Sequence, residues 1–97
     1  MRYRVYSVLD SKAGAYLPPF LCQNDAVARR NFEAAVHDSG HMFAKFAEDY
    51  TLYGIGEFDD SAGLMEPQSS WVVCSAIDCL RGNDPVSSKV GLLVRSI

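Results

Sequence analysis

From Tyr50 to Phe58 apolar and polar positions alternate with period two. Tyr50, Leu52, Gly54, Gly56 and Phe58 fall on one side, and Thr51, Tyr53, Ile55 and Glu57 on the other. Successive side chains of a strand point to opposite faces, so both faces here carry large apolar groups. The pattern predicts a central strand covered on both sides. Asp59-Asp60-Ser61-Ala62-Gly63 then predicts a turn, with Asp oxygens to bind the local backbone and Gly for positive φ. Arg2 to Leu9 alternates in the same way, with Tyr3, Val5, Ser7 and Leu9 against Arg2, Arg4, Tyr6 and Val8. It is rich in the β-branched and aromatic residues that strands favour. A turn over Asp10-Ser11-Lys12-Ala13-Gly14 leads into Ala15-Tyr16-Leu17, which predicts an antiparallel hairpin. Pro18-Pro19 cannot donate to a ladder, so this second strand is expected at an edge or bending away there; Phe20, Leu21 and Cys22 lead out of it.

The period then changes. Asn24 or Asp25 suits an N-cap, and the predicted helix runs from Asp25 to His37. Ala28, Phe32, Ala35 and Val36 make its apolar stripe, with Arg29, Arg30, Glu33 and His37 mostly off it. Gly40 suits a left-handed C-cap. His41 to Asp49 reads as a connector in which Phe43, Phe46 and Ala47 either form one apolar helical turn or, as the favoured reading, plug the end of the core. Leu64-Met65-Glu66-Pro67 begins a return strand that Pro67-Gln68-Ser69-Ser70 breaks, and Trp71 to Leu80 alternates as a last strand. Arg81-Gly82-Asn83-Asp84-Pro85 is a loop signal. Val90-Gly91-Leu92-Leu93-Val94 reads either as a short added strand or as a tail that orders against a partner. The fold class is α+β: a mainly antiparallel sheet in the order β-β-α-β-β, extended by a C-terminal strand on one reading, with one helix packed on a face. Residues 1–80 form one domain and residues 81–97 an extension.

Composition narrows the class. The 97 residues suffice for one domain, and 48% hydrophobic against 22% charged residues can bury a core. The formal charge of −3 argues against a strong sequence-independent grip on nucleic acid, although it leaves room for a local basic patch. Cys22, Cys74 and Cys79 are an odd set without framework spacing, and buried free thiols are expected. The N-terminus has no signal-like apolar segment, and no apolar run approaches the roughly 20 residues of a membrane span. A soluble cytoplasmic protein is the expectation.

The candidate chemistry is sparse. Glu57, Asp59 and Asp60 invite a metal reading but do not match a calcium loop, and a solvated turn explains them. His37 and His41 are separated by Gly40, which should end the helix; surface histidines are expected. Gly54-Ile55-Gly56 lacks the third Gly and the following helix of a phosphate loop, so its glycines read as sites of close packing. No nucleophile elbow or Walker motif is present, no cofactor is implied, and an enzyme is not expected. The best binding candidate is Arg2, Arg4 and Tyr6 on one strand face with Arg29 and Arg30 elsewhere, since Arg contacts phosphate and aromatic rings stack on unpaired bases of single-stranded nucleic acid.

The segments Arg2-Tyr3-Arg4-Val5-Tyr6-Ser7-Val8-Leu9-Asp10-Ser11-Lys12-Ala13 and Glu48-Asp49-Tyr50-Thr51-Leu52-Tyr53-Gly54-Ile55-Gly56-Glu57-Phe58-Asp59-Asp60-Ser61-Ala62-Gly63 resemble the small non-structural protein of microviruses, phages with circular single-stranded DNA, in their gokushovirus branch. The likeness covers residues 1–65. It implies a protein made in the host cytoplasm and absent from the capsid, acting in genome replication or in the switch to single-strand packaging, with single-stranded DNA as ligand. It supplies no catalytic residues. A second reading is a protein-interaction module or homodimer that modulates a host or phage replication factor, through an exposed edge strand or the tail Val90 to Val94.

Overall fold

The two alternating runs pair with each other along their whole length. A computed structural model describes residues 1–82. In chain order the elements are β1 (Arg2–Asp10), β2 (Ala15–Tyr16), β3 (Phe20–Cys22), α1 (Asp25–Val36), α2 (Met42–Lys45), a 3-10 turn (Ala47–Asp49), β4 (Tyr50–Asp59), β5 (Leu64–Ser75) and α3 (Ala76–Arg81). The strands form one five-stranded antiparallel sheet in the order β2-β1-β4-β5, with β3 also paired to β1. The protein is thus α+β, with a helix packed on one face of the sheet. Pro18-Pro19 splits the expected second strand into β2 and β3, and both stay on the edge of β1.

Two turns at opposite ends of β1 share one construction. In each, an Asp Oδ1 accepts from two backbone N–H groups ahead of it: Asp10 from Lys12 and Ala13, and Asp59 from Ser61 and Ala62. Each then closes on a glycine in the left-handed region, Gly14 at φ 67° and Gly63 at φ 68°.

Helix α1 starts where Asn24 Oδ1 accepts from the Val27 N–H at 3.0 Å. Its stripe of Ala28, Phe32 and Val36 is buried against Tyr6, Val8, Tyr50, Leu52 and Cys74, which all stand on one face of the sheet. Phe43 of α2 stacks between Phe32 and Tyr50, with ring centroids 5.2 and 4.7 Å away. It plugs the end of the core from one short helical turn, and Ala47 is buried with it, whereas Phe46, expected in the same plug, is exposed.

Four expectations are corrected. Strand β4 is central, yet on the helix side Tyr50, Leu52 and Gly54 are buried while Thr51 and Tyr53 on the other face remain half-exposed; a bulge at Ile55 then reverses the alternation, so that Glu57 pairs with Arg4 on the helix side and Gly56 and Phe58 pair with Val5 and Tyr3 on the other. The described helices all pack on the first face. Strand β5 continues through Pro67, which sits on the sheet edge and pairs with Gly56; the expected break is instead a shift of register from Gly56–Pro67 to Gly54–Trp71, with Gln68, Ser69 and Ser70 bulged between the two pairs. The last strand stops at Ser75. Its Oγ accepts from the Asp78 N–H at 3.1 Å and caps α3, which ends at Gly82 with φ 73°. Gly40 is not left-handed; α1 ends at His37, with φ −87°. The reading of Val90 to Val94 as a strand or tail lies outside the described residues.

The glycines of β4 are sites of close packing. A Cβ at Gly54 would stand 1.9 Å from Cε2 of Trp71, the residue paired with it on β5, and one at Gly56 would stand 2.5 Å from the backbone oxygen of Glu66. Gly54→Ala should therefore lower stability in urea unfolding by about 1–3 kcal/mol through overpacking. Because the strain is against one ring, its effect should be non-additive with Trp71→Ala.

Candidate functional site

Arg2, Arg4 and Tyr6 stand in one row along β1, on the side of the sheet that carries the helices. Strand alternation puts them there, and the row meets the first turn of α1. The Asp25 carboxylate is the meeting point. Its Oδ1 accepts from the Tyr6 hydroxyl at 2.6 Å, from Arg4 Nη1 at 3.2 Å and from the Trp71 indole N–H at 3.2 Å. The Trp71 ring lies over Gly54, edge-on to Tyr6, and Arg4 Cζ stands 5.7 Å from its centroid. Phe20 stacks on the other side of Tyr6, 5.9 Å between centroids. Burial alone would raise the Asp25 pKa; the hydrogen bonds from Tyr6, Trp71 and Arg4 together outweigh it and hold the carboxylate below its ordinary value. Burial, and then the bond to Asp25, push the Tyr6 phenol up.

Beside this cluster is an open trough of about 390 Å3, lined by Arg4, Asp25, Glu57, Gln68 and Trp71. Gln68 donates to Glu57 at 2.6 Å. One cation and two carboxylates leave the trough net negative.

The five residues read from the sequence as nucleic-acid contacts divide in three. Arg2 pairs with Glu66 at 2.9 Å and lies 3.5 Å from Glu57, Arg4 pairs with Asp25 at 3.2 Å, and Arg29 with Glu33 at 2.8 Å. Tyr6 is 0% exposed, so its ring is part of the core and not a stacking surface. Arg30 is exposed on α1, and of the four arginines it alone has no carboxylate partner among the described residues. The structure brings Arg2, Arg4 and Tyr6 into one row and places Arg29 and Arg30 along α1. Asp25 and Trp71 were missed as site residues. They are 46 positions apart, and no local spacing announces that the N-terminus of a helix will receive an indole N–H from the far edge strand.

The other candidate groups are bound into the framework. Asp59 holds its turn, and Asp60 takes the Met1 amino group at 2.7 Å. Glu57 faces Arg2 and Gln68. His37 ends α1, and His41 Nδ1 accepts from the Phe43 N–H and caps α2. All three cysteines are free and buried. Cys79 donates to Cys74 across 3.0 Å, and that bond, with burial, pushes the Cys74 thiol up, away from thiolate chemistry. No helix among the described residues is long and apolar enough to cross a membrane.

A family model described as phage ORF5 protein matches residues 3–79, and the chain belongs to that family of phage proteins. No curated protein and no solved structure matched the chain.

Asp25 gives the site a pH signature. Its folded pKa lies below the ordinary Asp value, so its contribution to stability is complete above pH about 3.9 and is lost as pH falls through the lower folded value. The melting temperature should drop in acid, and the drop should be smaller in Asp25→Asn. At neutral pH that substitution should itself destabilise the fold by about 1 kcal/mol, a modest figure because the carboxylate is partly exposed. Thermal melts of both proteins between pH 2 and pH 7 check this.

Proposed function

We propose that this phage ORF5 family protein is a non-enzymatic accessory factor of a microvirus-like phage, acting in viral DNA replication or in the switch to single-strand packaging through contact with a replication protein rather than by gripping DNA. The microvirus assignment follows from the likeness of Arg2 to Ala13 and Glu48 to Gly63 to the non-structural protein of those phages. The protein-contact reading is carried by one observation: three of the four arginines in the candidate patch are neutralised by carboxylates of the same fold.

Phosphate binding draws its free energy from cations that displace counterions. An arginine already held by Asp25, Glu33 or Glu66 must give up that partner first, and the freed carboxylate then repels the phosphate. The trough beside Trp71 has the same handicap, because Asp25 and Glu57 outnumber Arg4. The net charge of −3 adds a long-range repulsion of the same sign. The non-enzymatic reading is supported by where the reactive side chains go. The acids hold turns and ion pairs, His41 caps a helix, and the thiols are buried.

A fluorescence-anisotropy titration of labelled single-stranded DNA with the full chain at low salt separates the two modes. The expected result is no saturable binding. Saturable binding that weakens as salt rises, with a slope of about −0.7 per phosphate contact in a log–log plot, and that is reduced by Arg30→Ala or Arg4→Ala, would overturn the protein-contact reading in favour of direct DNA binding.

A further inference from the structure

The sheet has its charges on the unexpected face. Directly paired residues of antiparallel strands stand on the same side. Every charged side chain of the strands lies in a row on the helix side: Arg2 with Asp59, Arg4 with Glu57 and Glu66, and Asp10 with Tyr50. The outer face carries instead the rows Tyr3–Phe58–Met65 and Ser7–Tyr53–Val72. Tyr16 reaches across the small Ser7 to set its ring 5.9 Å from Tyr53. Val5 lies between these rows; it is buried, yet it is not part of the core beneath the helices. Val72, Met65 and Tyr16 are 62, 56 and 50% exposed.

A sheet with one solvated face normally turns its polar residues to water. Here a contiguous, charge-free, aromatic-rich face has no described element packed on it, whereas soluble monomers scatter their exposed apolar residues. Its extent decides what can cover it. Four strands at about 4.8 Å spacing and about nine residues at 3.3 Å rise make a patch of roughly 600 Å2. Two such patches face to face would bury about 1,200 Å2, the lower bound of a stable specific interface. A face with no charge offers nothing to a partner recognised by complementary charge, and it matches a second copy of itself. The −3 charge of each copy does not oppose that pairing at contact range, because the strand charges lie on the far side of each sheet.

We propose that the outer face, centred on Tyr3, Tyr53, Phe58, Met65 and Val72, joins two copies of this chain sheet against sheet about a two-fold axis. The helices and the trough beside Trp71 then lie on the outside of the dimer. The dimer does not depend on whether the chain binds DNA, so this proposal and the functional reading fail separately.

Sedimentation equilibrium on the full chain tests it. The expected mass is twice the 10.7 kDa of one chain. Val72→Lys and Met65→Lys, both at exposed positions, should each raise the dimer Kd by about tenfold or more, since each buries a charge in apolar contact. Circular dichroism and thermal melts should show both variants folded. Met42→Lys, equally exposed on α2, should leave the dimer intact. A wild-type monomer at every concentration overturns the proposal and leaves the face to residues 83–97 or to another protein. A dimer that neither Val72→Lys nor Met65→Lys weakens, or that Met42→Lys weakens equally, also overturns it.

Discussion

The contact on which most of this structure depends is the Trp71 ring laid flat on Gly54. No other residue at position 54 leaves room for it, because a Cβ there would sit inside the ring. Once the indole is down on the sheet, its N–H points to the start of α1 and meets Asp25. The same carboxylate oxygen receives the Tyr6 hydroxyl and Arg4, so one acid ties the central strands, the edge strand and the helix together. A helix can slide over a sheet when only apolar stripes meet. Here Phe32 and Val36 supply the burial, and the Asp25 cluster fixes where along the sheet the helix begins. Buried or half-buried polar groups that are fully paired specify one arrangement in this way.

That arrangement uses up charge. The arginines of β1 are matched to carboxylates of α1, β4 and β5, and the turn acid Asp60 takes the terminal amine. Along β1 that leaves no arginine unpaired. Ser7 is small enough for Tyr16 and Tyr53 to meet above it, which builds an aromatic surface on the side the helices do not cover.

Much of the architecture was legible in the sequence. The alternation of Arg2 to Leu9 and of Tyr50 to Gly54, the helical stripe at Ala28, Phe32 and Val36, with Ala35 only half-buried beside it, and the two Asp-to-Gly turns became what their local chemistry predicts, whereas the bulge at Ile55 moved Gly56 and Phe58 to the face opposite Leu52. The errors have physical causes. Trp71 to Leu80 keeps its alternation beyond Ser75, and the α3 signals, Ser75 three residues before Asp78 and Gly82 at the end, were outweighed by that period. Apolar groups on both sides of β4 suggested two covers, whereas the described fold supplies one. The Arg-Tyr row was visible but its partners were not, because Asp25, Glu57 and Glu66 reach it only through tertiary pairing. A basic strand in sequence became a neutral one in space.

The two surfaces are complementary in their consequences. If the outer faces join, each copy turns its trough, with Trp71 on one wall and Arg4, Gln68 and Glu57 around it, away from the two-fold axis. A dimer then offers two identical polar sites on opposite sides. A partner that itself repeats would engage both, and the second contact would form at the high effective concentration set by the first. Weak individual contacts would then suffice. That fits a shallow site whose charges are largely spent on its own fold better than it fits a deep pocket made for one tight ligand.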